Sequence, residues 1–130
     1  MHRAKIAENI AKMERLGGEI QRIAAIQDGG SAGRLVTLRR QYAQAVQDMT
    51  ASAEAGLSSL PIDQSGELSV TFRKLLSEVR AAVAEHQARW PAVTISHDSA
   101  AYADSSRHVT TLLQALVRWL KQNLLPAIDR

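Results

Sequence analysis

Apolar side chains recur at intervals of three and four along almost the entire chain, and this spacing limits the fold more than any other feature. Residues three and four apart share one face of an α-helix, whereas a strand would alternate at intervals of two. The first stripe is Ile6, Ile10, Met13, Leu16, Ile20 and Ile23. A second runs through Leu35, Leu38, Tyr42, Ala45, Met49 and Ala53. The third holds Leu68, Phe72, Leu75, Val79, Ala82, His86 and Trp90, and the fourth Tyr102, Ser105, Val109, Leu112, Leu116, Trp119 and Asn123. The spacing predicts four helices, over 4–27, 31–57, 66–90 and 98–125.

The residues between the stripes are those that stop and start helices. Gly29 and Gly30 suit a left-handed C-cap, and Ser31 after them suits an N-cap. Pro61 and Gly66 separate the second and third stripes. Trp90 precedes Pro91, which disfavours helical dihedrals at Trp90, and Pro126 is expected to end the last helix. Gly17–Gly18 falls inside the first stripe, where it marks either a close helix crossing or a break. Four rods of similar length with short links predict an all-α, antiparallel up-down-up-down four-helix bundle, a single domain spanning residues 1–130.

Composition narrows the function classes. Aromatics are only 4% of the chain, so Leu, Ile, Val, Met and Ala must fill the core. There is no cysteine, which excludes disulfide and thiolate chemistry and predicts a cytoplasmic protein. No stretch reaches the roughly 20 apolar residues of a membrane span, and the first residues carry no signal-peptide run. A net charge of +3 is weak for a dedicated nucleic-acid binder.

The segment TISHDSAAYADSSRHV, residues 94–109, crowds two histidines, two aspartates and four serines together. His97 and His108 are eleven residues apart, about 16 Å along a helix, too far to share one ion. Asp104, Ser105 and His108 have the residue types of a catalytic triad, but mid-helix amides are already bonded and supply no oxyanion hole. A helix entrance explains more of the residues. Thr94, Ser96, Asp98 and Ser99 are capable N-caps, and Asp98 and Asp104 place negative charge where the helix dipole favours it. Asp104 and His108 then form a local pair one turn apart.

In the last stripe Val109, Leu112, Leu113, Leu116, Val117, Trp119, Leu120 and Leu124 cover about half the helix circumference, wider than an ordinary amphipathic stripe. Either this helix is central, or part of the face is kept for another chain. The second option makes Leu113, Leu116, Val117, Trp119, Leu120 and Leu124 a candidate partner surface, with Arg39 and Arg40 as nearby charge. The expected function is a non-enzymatic interaction module, a small adaptor or escort binding another protein or a second copy of itself. In size and helix pattern, though in no motif, the chain resembles small helical export chaperones such as those of flagellar and secretion systems. Two alternatives stand beside this. One is a weak nucleic-acid accessory protein using Arg34, Arg39 and Arg40. The other is a metal or catalytic bundle around His86, Asp104 and His108. No cofactor, metal or small-molecule substrate is inferred.

The pattern makes one test simple. Leu116→Asp puts a carboxylate into the apolar half of the last helix and is expected to cost about 3–5 kcal/mol of stability or to disrupt assembly. Thermal melting and solution mass check this, and an unchanged pair of values contradicts it.

Overall fold

A computed structural model describes residues 2–25, 31–90 and 99–128, and within these the chain is built from helices without a strand. Helix α1 is His2–Ala25, α2 is Ser31–Ser58, α3 is Ile62–Arg89 and α4 is Ser99–Trp119. A five-residue π-helical turn, Leu120–Leu124, joins α4 to a short α5, Leu125–Ile128. The four expected helices are therefore present, and their stripes meet in one aliphatic core.

Residue pairings give the helix directions. Asn9 of α1 bonds Ser52 of α2, while Glu19 meets Arg34, so later residues of α1 face earlier residues of α2. Gln21 of α1 bonds Ser106 of α4, and Glu14 meets Lys121 beyond the end of α4. His86 of α3 bonds Ser105, and Phe72 stacks against Trp119 with ring centres 6.3 Å apart. Thus α1 runs antiparallel to α2 and to α4, and α3 runs antiparallel to α4. The loosest seam of the bundle lies between α2 and α3.

Ile6, Ile10, Met49, Phe72, Leu113, Leu116, Leu120 and Leu124 are almost wholly removed from water. Among the described residues the buried polar ones are Asn9, Thr50 and Ser106, and each is bonded. Asn9 donates to the Asp48 carbonyl and the Ser52 hydroxyl, both at 3.1 Å, which ties α1 to α2 in a single register. A slip along either helix would strand that amide in an apolar seam.

The expectations fail locally, each time for a physical reason. Helix α3 begins at Ile62, so Gly66 is inside it; the Pro61 carbonyl accepts from the amides of Gln64 and Ser65, closing the first turn. Leu76 is buried in place of Leu75, and Leu113 in place of Leu112. Two adjacent leucines satisfy a three-four pattern equally well, and only the neighbouring helix selects between them. Pro126 does not end the last helix. It has no amide hydrogen and its ring crowds the carbonyl four residues back. The π turn before it widens the ladder, with the Leu125 amide bonding the Leu120 carbonyl, and the helix continues to Ile128. The expected caps Gly29, Gly30, Thr94, Ser96 and Asp98 lie outside the described residues. Helix α3 ends at Arg89, as the Trp90–Pro91 step requires.

Helix α1 is unbroken through Gly17–Gly18, and the two glycines differ in what surrounds them. A Cβ at Gly17 would stand 3.0 Å from Cε1 of Tyr42, whereas one at Gly18 would meet nothing. Gly17 is a close crossing of α1 and α2. Gly56 is another, since a Cβ there would stand 2.6 Å from Ile128 Cδ1 and 2.9 Å from Ile6 Cδ1. Gly18→Ala is therefore expected to raise stability by about 0.5–1 kcal/mol, through lost chain freedom in the unfolded state. Gly17→Ala should gain less or lose, because the Tyr42 ring must yield. Urea denaturation of the two single variants measures the difference.

Candidate binding site

The wide apolar face of the last helix resolves into core. Leu113, Leu116, Val117, Leu120 and Leu124 are buried against the chain's own helices, and Trp119 is half-buried beside Phe72. The α4 face is wide because the helix is central, packing on both α1 and α3. The basic residues of α2 are also separated. Arg34 pairs with Glu19 at 2.6 Å, Arg39 donates to the Trp90 carbonyl at 3.0 Å, and Arg40 is exposed.

His86, Asp104 and His108 are brought to the same place in the fold. All three border one shallow cleft between α3 and α4. His86 Nδ1, however, is 2.7 Å from the Ser105 hydroxyl, and Asp104 pairs with Arg107, not with His108. Among the described residues no three potential ligands are grouped to hold a metal ion. Ser105 is bonded away from His108, so the triad types do not form a triad.

The loose seam between α2 and α3 opens instead into an apolar cleft of about 320 Å³. Ala43 and Val46 of α2 face Val83 and Ala84 of α3 across it. Gly17, Ile20 and Val109 close its floor from α1 and α4. Small residues on both walls hold the helices near each other without filling the space between them. This is the size and lining expected of a binding cleft, an apolar body with a few convergent polar groups.

Those polar groups are Tyr42 and His86, with Arg39 beside them. Burial raises the ionisation of Tyr42 well above its ordinary range, so its hydroxyl stays protonated. Burial, helped by the positive charge of Arg39, lowers His86 to about 4, so its ring is neutral at pH 7. Deeper still, Gln21 donates to the Ser106 and Thr110 hydroxyls at 3.1 and 3.3 Å. Gly17, Tyr42 and Thr110 also border a second cleft, about 630 Å³, on the α1–α4 side, where Glu14 and Lys121 meet at 3.3 Å. The molecule is thus narrowest in packing at one level, where Tyr42 stands between two openings.

Sequence reasoning missed this cleft. Tyr42 and Val79 read as ordinary stripe members, Arg80 as one of the third helix's charges partly balanced by Glu78 and Glu85, and Val83 as an unremarked position. The available signal was a small residue on each of three helices, Gly17, Ala43 and Ala84, but helical spacing does not say which helices meet. No protein-family model, curated protein or solved structure matches the chain.

A pH prediction follows from His86. Its folded-state value lies below the ordinary 6.5, so protonation favours the unfolded chain. The associated stability is fully present above about pH 6.5 and declines as pH falls toward about 4. Urea midpoints of the native chain and of His86→Gln over that range test it. The variant is expected to lose less stability on acidification.

Proposed function

We propose that this chain is a non-enzymatic helical binding module, of the adaptor or escort kind, that receives an apolar segment of another protein between α2 and α3. The observation that carries the reading is the open α2–α3 seam. Clefts also open beside α4, where Glu14 with Lys121 and His86 with Ser105 bridge the walls, whereas the α2–α3 seam is the most sparsely packed and presents valine and alanine walls to solvent. An apolar groove between two helices is a common receptor for the apolar face of a third. The central position of α4 supports placing the receptor here, since the α4 face is already occupied.

The residues around the groove bind rather than transform. Tyr42 and His86 are both neutral at pH 7, and the neighbouring hydroxyls are engaged within the bundle. No described helix is long and apolar enough to cross a membrane. A chain without cysteine suits a reducing compartment, and the proposal assigns the module to the cytoplasm.

Site-specific photo-crosslinking in the native cell tests the reading. A crosslinker at Gln47, on the exposed rim of the groove, is expected to trap a discrete protein adduct, and one at exposed Lys12 of α1 is not. Filling the groove with Ala43→Trp should remove the adduct while leaving the helical circular dichroism unchanged. Equal adducts from both positions, or an adduct that survives Ala43→Trp, contradict it.

A further inference from the structure

We infer that the segment received by the α2–α3 groove is an amphipathic helix with acidic flanks. The inference rests on the binding-module reading and specifies the partner's chemistry. The groove follows α2 from Arg39 to Thr50 and α3 from Val79 to Gln87. That is about 16 Å, or three helical turns, and its valine and alanine walls offer a surface to one apolar helix face.

Charge selects among helices. No carboxylate lines the groove among the described residues, whereas Arg39 and Arg80 do. Arg80 has no acidic residue three or four positions away on α3, and Arg40 has none on α2. Both are exposed, and no ion pair holds either of them among the described residues. Arg40 precedes the wall residues Ala43 and Gln47 by about one and two turns, so it extends the α2 rim. Arg80 is on the α3 rim. The bond from Arg39 to the Trp90 carbonyl sets the register between the two helices. Since Arg80 is ten residues before Trp90, it lies opposite a point about nine residues beyond Arg40, roughly 14 Å along the axis.

The two guanidiniums therefore stand on opposite rims and near opposite ends. A helix in the groove meets one on each flank, so one glutamate or aspartate per flank, two to three turns apart, completes the surface. A basic helix would be repelled at both rims. A nucleic-acid backbone would satisfy the arginines but has no apolar face for the valines.

Fluorescence anisotropy with the full chain tests this, using two labelled 14-residue peptides. Both carry the same leucine and alanine face, one with glutamate flanks and one with lysine flanks. The glutamate peptide is expected to bind about tenfold more tightly, with the advantage shrinking as salt rises. Arg40→Glu with Arg80→Glu should reverse the preference, and Val83→Trp should abolish binding of both, with circular dichroism confirming that each variant folds. Equal affinity for the two peptides overturns the acidic assignment and leaves the groove reading intact. Binding that survives Val83→Trp overturns the groove itself. Binding of octanoate, with neither peptide bound, shows a small-acid site and overturns the helix inference.

Discussion

The close approach of α1 and α2 organises the rest of the molecule. Gly17 lets the Tyr42 ring lie against the α1 backbone, and Gly56 admits Ile6 and Ile128 at the far end. Between these points Asn9 fixes the register through Asp48 and Ser52. Helix α2 is thereby drawn onto α1. Helix α3 is held mainly by α4, through Phe72 on Trp119 and His86 on Ser105. The molecule behaves as two antiparallel hairpins joined along α1 and α4. The α2–α3 seam is left over, because Ala43, Val46, Val83 and Ala84 along its walls are too small to fill it.

That residual seam links packing to binding. A core supplied almost wholly by aliphatic residues is filled where leucines and isoleucines converge, and it is thin where alanine and valine face each other. The same thin level holds a neutral histidine, a protonated tyrosine and the Gln21, Ser106 and Thr110 bonds. Gln21, Ser106 and Thr110 are bonded to one another there, and His86 to Ser105. What remains available to an incoming chain is an apolar surface with arginines at its rims.

The three-four spacing was enough to place four helices and most of the core, since Ile6, Ile10, Met13, Ala45, Met49, Phe72, Val79 and Leu116 are all buried as their stripe requires. It misplaced the start of α3, because Gly66 was weighted as a breaker when its position in the second turn carries little cost. It misread Pro126, because a π turn can carry a helix past a proline. Leu75 and Leu112 yielded to Leu76 and Leu113, since adjacent apolar residues make the phase of a stripe ambiguous. The site was the least legible part. The broad face of α4 reads identically whether a neighbour comes from the same chain or another.

Sequence alone determined the helical class, the aliphatic character of the core and the absence of thiol chemistry, because these follow from residue type and local periodicity. Tertiary structure decided which helices touch, where Gly17 and Gly56 allow backbones to close up, and which seam stays open. Those outcomes depend on contacts between residues far apart in the chain, and a pattern that repeats every three or four positions carries no record of its neighbours in space.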